Sequence, residues 1–335
     1  MENKIIVFSG IQPSGSPTLG NYVGAVRNWS LLQSNLRYCY YCVVDLHAIT
    51  VRQDPAILRR RSIETIALIL AAGIDPEKST LFIQSNVKAH AQLSWVLSCY
   101  TYMGELNRMT QFKDKSAKHS DNINAGLYTY PVLMASDILL YQSDLVPVGS
   151  DQKQHVEIAR DIALRFNKAC GETFKVPEPY IPKIGGRIMS LQDPLKKMSK
   201  SDENEMGYIA IMDTPEIIMK KFKRAVTDSE NRIVFSPEEK PGVSNLLSLY
   251  GTFAGKTAAE TENIFSGLGY GQLKVAVAEA VIEELIPIQK RYKEILDNKE
   301  YLDAIIVRGA EKAAAAADKT LSLVYERVGF NSFRV

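Results

Sequence analysis

The stretch Lys196-Lys197-Met198-Ser199-Lys200-Ser201 sets three lysines and two serines within six residues, shortly after the apolar run Ile188-Met189-Ser190-Leu191. Ammonium groups and hydroxyl donors at that density can neutralise and hold a polyphosphate, because each lysine supplies a point charge with several N–H donors. A lysine-serine segment is also an ordinary solvated loop, so its meaning depends on what it faces. A second candidate lies far upstream, where Gln12-Pro13-Ser14-Gly15-Ser16-Pro17 separates a β-branched run from a segment of helical period opening at Thr18. Strand, glycine-bearing loop and helix start present backbone N–H groups to phosphate, and glycine at 15 and 20 lets a ligand approach the main chain. An ordinary strand-to-helix turn has the same appearance. The third candidate is Asp137, set in the otherwise uncharged run Val132-Leu-Met-Ala-Ser-Asp-Ile-Leu-Leu-Tyr141. A carboxylate there must find donors or a cation, as a structural acceptor or as a contact to a ligand. Asp151-Gln152-Lys153-Gln154-His155 collects polar groups at another strand-to-helix junction, where His155 can equally be a satisfied helix histidine.

These groups can cooperate only if the chain brings them together. Lys4 to Phe8, Tyr38 to Val44, Thr80 to Gln84 and Asp144 to Gly149 read as short strands, with Ile188 to Leu191 as a last edge-like strand. Between them run helical patterns: one from Thr18, one from Asp54-Pro55 to Gly73, one over 89–103, one started by Pro131, and one from Asp151 to Gly171. Residues 104–126 are polar with little periodicity and read as a mobile surface loop. Strands alternating with helices of this length predict an α/β, doubly wound parallel sheet of Rossmann type over residues 1–205, whose ligands collect at the strand C-termini. Ser9 to Ser14, Asp45 to His47 and Gln84 should lie there. Beyond Met206 helical patterns dominate, at Thr214 to Lys223, Asn245 to Phe253, Gln272 to Leu285, Tyr292 to Asn298 and Ala310 to Glu326, with Gly267 to Gly271 as a turn. Residues 206–335 therefore read as a C-terminal α-helical domain, its last helix able to pack back on the first domain.

Composition narrows the class without naming it. With 335 residues, 46% hydrophobic, 23% charged and a net charge of +2, the chain can bury a large core, but its charge gives no global attraction to nucleic acid or membrane. Any polyanion must meet a local patch. No apolar run reaches the ~18–20 residues of a membrane span, and the N-terminus leads into a strand-like run rather than a signal peptide, so a cytoplasmic location is expected. Cys39 and Cys42 spell C-x-x-C inside a strand, where positions three apart face opposite ways, so buried thiols are expected rather than a metal or redox site.

Pro13-Ser-Gly-Ser-Pro-Thr18-Leu19-Gly20-Asn21 followed by Lys197-Met-Ser-Lys-Ser201 resembles the paired signatures of the class I aminoacyl-tRNA synthetases. Gly10-Ile-Gln-Pro-Ser-Gly, Asp45-Leu-His-Ala-Ile-Thr50, Met109-Thr-Gln-Phe-Lys113, Met134 to Tyr141 and Asp151 to His155 narrow the likeness to the bacterial tryptophanyl branch, over essentially the whole chain. The resemblance implies a ligase. The carboxylate of L-tryptophan attacks the α-phosphate of ATP, pyrophosphate leaves, and the 3′-terminal ribose hydroxyl of tRNA(Trp) then takes the aminoacyl group. Such chemistry needs positioning and charge stabilisation rather than a protein nucleophile.

Residue by residue, the resemblance puts Lys197 and Lys200 on the β- and γ-phosphates, Ser199 and Ser201 beside them as neutral donors, and Met198 packing the loop down. Thr18 and Asn21 stand where the class signature has histidines, which speaks against a proton-transfer role for them. Gln12, Pro13, Ser14 and Gly20 would line the phosphates and ribose, with Gly149, Ser150 and Asp151 nearby. Ile188 would meet adenine through its backbone, and Lys115 would reach the triphosphate together with Mg²⁺, itself held mainly by ATP. Asp137 would accept the indole N–H, which selects tryptophan because side chains lacking that donor leave a buried acceptor unpaired. Phe8, His47, Met134 and Val146 would wall the side chain, with Gln152 near the amino group. Ser150 replaces an acidic residue common in relatives, so the ribose contact would rest on Asp151 and backbone. The resemblance further implies an anticodon-binding helical domain, a homodimer with its interface in residues 85–170, and no membrane. The rival readings are a tyrosyl enzyme, a small-molecule adenylyltransferase and a non-catalytic RNA-binding paralogue. The last of these would have lost the phosphate lysines, both of which are present.

Overall fold

The computed structural model describes residues 4–13, 15, 17–33, 37–109, 123–149, 152–180, 188–199 and 202–331. The β-branched run at the start forms β1 (Ile5–Ile11), which pairs in parallel with β2 (Arg37–Val43) on one side and β4 (Leu145–Pro147) on the other. With β3 (Ser79–Ile83) and β5 (Glu178–Tyr180) this makes a five-stranded parallel sheet of order β3-β2-β1-β4-β5. The order reverses at β1, the topological switch of a doubly wound sheet, as the strand-helix alternation predicts. Asp144 fastens that switch: its carboxylate accepts from the Ile6 amide at 2.7 Å and its own amide donates to the Ile6 carbonyl at 2.8 Å.

Local signals explain the crossover helices. Helix α1 (Pro55–Ala71) starts where the Asp54 side chain accepts from the Ile57 amide at 2.9 Å, and it stops before Gly73, which takes φ +99°. A cap of this type is worth about 1 kcal/mol, and proline at the first helical position forfeits no hydrogen bond. Helix α2 (Ala89–Ser98) is followed by the short helix Met103–Asn107, and α4 (Lys153–Cys170) ends at Gly171 with φ +90°. Helix α3 (Ala125–Leu139) corrects the sequence reading, which started it at Pro131. Asn124 caps it by accepting from the Leu127 amide at 3.0 Å, so the proline lies inside and the flanking burial of Leu127, Tyr130 and Val132 offsets one missing backbone bond. Of the polar stretch 104–126, residues 110–122 lie outside the described residues.

The edge of the sheet also differs from the sequence reading. Ile188 to Leu191 does not join it, and within that run Met189 makes only an isolated antiparallel bridge to Lys197. The edge strand is β5, whose Pro179 hides it from a propensity reading, yet an edge tolerates a residue that cannot donate.

The chain divides into two compact units, one of Met1–Ser14, Leu31–Ile181 and Asn298–Val335, the other of Gly15–Ser30 and Pro182–Asp297. In the first, Cys39 and Cys42 are buried free thiols on β2, as expected. The second contains α5 (Pro215–Lys223), α6 (Pro241–Ala254), α7 (Ala258–Ile264) and α8 (Tyr270–Asp297). Helix α8 runs unbroken where two helices were expected, because Pro287 sits on its exposed side between buried Leu285 and Ile288. Among the described residues no helix is long and apolar enough to cross a membrane.

Helix α9 (Lys299–Val328) belongs to the first unit and buries Ala313, Ala317, Leu321 and Val324 in its core. Its Gly309 lies against β3 so closely that an added Cβ would stand 1.8 Å from the Leu81 carbonyl oxygen. Gly309→Ala should therefore destabilise the protein by about 1–3 kcal/mol in a denaturant melt. Helix propensity alone predicts a gain of about 1 kcal/mol, so the sign of the change decides between backbone freedom and packing.

Candidate functional site

In the first unit the chemistry centres on Asp137. It is 1% exposed, and its carboxylate is held by three side chains from other elements. Oδ1 accepts from Gln84 Nε2 at 2.7 Å and His90 Nδ1 at 2.6 Å, while Oδ2 accepts from His47 Nε2 at 2.8 Å. Gln84 follows β3, His47 lies in the turn Asp45–Ala48 after β2, and His90 sits in the first turn of α2. Burial pushes the carboxyl up, but the hydrogen bonds it accepts from His47 and His90 outweigh it and hold Asp137 below its ordinary value. A carboxylate accepts about four hydrogen bonds, so Oδ2 keeps capacity for one more donor.

The surroundings are aromatic. Phe8 on β1 stacks on Tyr141, with centroids 5.6 Å apart and planes at 7°, and Tyr40 lies against the same ring at 4.4 Å. The Tyr141 hydroxyl meets His90 Nε2 at 2.8 Å, and burial pushes that phenol well above its ordinary pKa. Tyr130 bonds His155 Nε2 at 2.7 Å, and its ring lies T-shaped to that of His47 with centroids 6.3 Å apart. Of the expected wall residues, Phe8, His47 and Val146 are buried, and Met134 is half-buried against the same core. Gln152, half-buried, donates its amide to the Gly149 carbonyl at 2.9 Å just before α4. Gln12 is exposed and Pro13 buried at the end of β1, and Gly149 is exposed. Sequence reasoning placed Gln84 near the strand ends but missed His90 and Tyr141. The only signal for His90 was a histidine opening an apolar helix.

In the second unit the two signature segments meet. Thr18 caps the turn Leu19–Asn21: its hydroxyl accepts from the Asn21 amide at 3.3 Å, and Asn21 Oδ1 accepts from the Thr18 amide at 3.0 Å. Backbone bonds from Leu19 to Ile209 at 2.8 Å and from Ile211 to Pro17 at 3.0 Å hold this turn in place. Behind it Ile188 and Met198 are buried and share a backbone bond of 2.9 Å. A Cβ on Gly20 would sit 3.5 Å from Met198 Cβ and 3.8 Å from Ile188 Cβ. Asn245 locks the loop by pairing with both the amide and the carbonyl of Met189, at 3.0 Å each. With Met198 turned inward, Lys197 and Ser199 on either side are exposed. The arrangement can present a lysine and short donors beside a helix start while keeping the loop seated. Lys196 pairs with Asp193 at 2.9 Å. Ser14, Lys115, Ser150, Asp151, Lys200 and Ser201 lie outside the described residues.

A family model described as tRNA synthetases class I (W and Y) matches residues 1–285. A tryptophan–tRNA ligase of Clostridium tetani is 57% identical over 329 residues, covering 98% of this chain and 97% of its own. The crystal structure of a Mycoplasma pneumoniae tryptophanyl-tRNA synthetase is similar with TM-score 0.91 and 38% identity, covering 98% of this chain and 99% of its own. That of the Campylobacter jejuni enzyme complexed with ADP and tryptophan is similar with TM-score 0.81 and 35% identity, covering 97% and 100%.

Proposed function

This chain belongs to the class I tRNA synthetases of the tryptophan and tyrosine group, and we infer that it joins L-tryptophan to tRNA using ATP. Tryptophan's carboxylate attacks the α-phosphate, pyrophosphate departs, and the adenylate passes its aminoacyl group to the 3′-terminal ribose of tRNA(Trp). The observation that carries this reading is the seating of Gly20 against Met198 and Ile188, which joins segments far apart in sequence into one surface, to which we assign the phosphates. The choice of tryptophan is supported by the 57% identical ligase.

The roles we assign follow from charge and reach. Lys197 and Lys200 neutralise the departing pyrophosphate, with Ser199 and Ser201 as donors; Met198 anchors their loop. Thr18 and Asn21 hold the helix start that faces phosphate, and neither transfers a proton, since their side-chain oxygens already serve the cap. Gln12, Pro13, Ser14, Gly20, Gly149, Ser150, Asp151 and Ile188 bind the nucleotide, and Lys115 reaches the triphosphate. Mg²⁺ enters with ATP as part of the substrate, carried on its phosphates. Asp137 accepts the indole N–H through Oδ2, walled by Phe8, His47, Met134 and Val146, with Gln152 at the amino group.

The helices beyond residue 205 are assigned to the anticodon, and the protein is assigned to the cytoplasm as a homodimer. Exposed Trp95, Tyr102 and Met103 support an interface within residues 85–170, being 70%, 62% and 66% exposed. Sedimentation should give a dimer for the native chain and a monomer for Trp95→Glu. Purified protein with Mg²⁺, ATP and tryptophan should exchange pyrophosphate into ATP, and tyrosine should not replace tryptophan. Exchange with tyrosine alone would move the chain to the other branch of its family.

A further inference from the structure

Asp137 is not held by Gln84 and His47 alone, and the third donor has a partner of its own. His90 is fully buried, its carbonyl accepts from Ser136 Oγ at 2.7 Å, and both ring nitrogens are engaged: Nδ1 with Asp137 Oδ1 at 2.6 Å and Nε2 with the Tyr141 hydroxyl at 2.8 Å. A neutral imidazole donates through one nitrogen and accepts through the other, so the partner at Nε2 decides what Nδ1 offers. The Tyr141 ring stacks on Phe8 and on Tyr40, at 5.6 and 4.4 Å, which restrains the ring and so the place of its hydroxyl oxygen beside His90 Nε2. A carboxylate torsion is broad and two-fold, so Asp137 needs such restraint to keep one oxygen aimed at a ligand.

We propose that His90 is a positioning residue for amino-acid selection: Tyr141 donates to Nε2, the proton is thereby kept on Nδ1, and that N–H together with Gln84 saturates Oδ1 so that Oδ2 is the oxygen presented to the indole N–H. This rests on the reading of Asp137 as the indole acceptor. It adds that selectivity is set two residues deeper, by an O–H and an imidazole that touch no substrate.

The test compares kcat/KM in adenylate formation for tryptophan and for its benzothienyl isostere, in which sulfur replaces the N–H. In His90→Phe the ratio should fall by about ten- to a hundredfold through loss on tryptophan, the isostere changing little, as expected for disturbing a hydrogen bond to a charged acceptor. His90→Asn, which keeps a donor near the Nδ1 position, should recover part of that loss. Tyr141→Phe, lacking a single oxygen, should lower the ratio less, and the double variant His90→Phe/Tyr141→Phe should be no worse than His90→Phe alone, since both act through one chain. Equal losses on both substrates, an additive double variant, or an unchanged ratio in Tyr141→Phe would each overturn the proposal, and the last of these applies even if His90→Phe does not fold. Asp137→Asn run in parallel separates the levels. If it leaves the ratio unmoved, the indole reading falls and this proposal with it; if it collapses the ratio while folded His90→Phe does not, only the role of His90 falls.

Discussion

Replacing Lys200 with alanine should slow tryptophan-dependent pyrophosphate exchange by about 10²- to 10³-fold, the usual consequence of deleting one preorganised donor aimed at developing charge. Tryptophan affinity should stay nearly constant, because the negative charge that this lysine meets grows on the departing pyrophosphate and is absent from the amino acid. Lys196→Ala supplies the internal control. Lys196 is exposed and already paired with Asp193 at 2.9 Å, and solvent screens such exposed pairs strongly, so its loss should barely alter the rate. Single-turnover adenylate formation and equilibrium tryptophan binding read the two quantities separately. A parallel loss of tryptophan binding in Lys200→Ala would remove the lysine from the pyrophosphate.

Asp137→Asn should have an effect of comparable size on a different step. The amide can keep its oxygen toward Gln84 and His90, which both donate, and turn its NH₂ toward His47, whose ring can offer a lone pair by changing tautomer. The protein should therefore fold. The indole N–H would then confront a donor: losing a bond to a charged acceptor costs about 1.5–3 kcal/mol and an unpaired buried N–H about 1–3 more, so kcat/KM for tryptophan should fall by about 10²- to 10⁴-fold. The same variant has a pH signature. Because Asp137 is held below the ordinary 3.8, its ionised form stabilises the native state above that value, and the contribution is lost as pH falls through the lower native pKa. The asparagine variant lacks this term, so the stability gap between the two proteins should narrow in acid. A gap independent of pH would show that the carboxylate charge does not stabilise the fold.

Much of the layout of strands and helices is legible in one dimension because its signals are local. Thr18 before a helical period, Asp54-Pro55 before α1 and Gly171 after α4 are short-range capping and turn chemistry, and all three sit where those rules place them. Proline misled in both directions. Pro131 reads as a helix start and the pattern over 272–298 as two helices, yet Pro131 and Pro287 both lie inside continuous helices, while Pro179 conceals a strand that only its pairing with β4 defines. A residue's missing N–H matters according to its neighbours in space, which composition does not carry.

The sequence by itself determined the strand-helix alternation, the parallel sheet class, and the residue types able to hold phosphate or accept an indole proton, because period and side-chain chemistry are properties of short segments. The resemblance of its motifs pointed to the family. Only the tertiary structure decided that Gly20 rests on Met198 and Ile188, and that Asp137 is gripped by Gln84, His47 and His90. Those partners come from separate elements and meet through packing, so no local pattern ties one to another. The lone histidine at the start of α2 was therefore silent in the sequence, although its contact with Asp137 bears directly on how the carboxylate can serve a ligand.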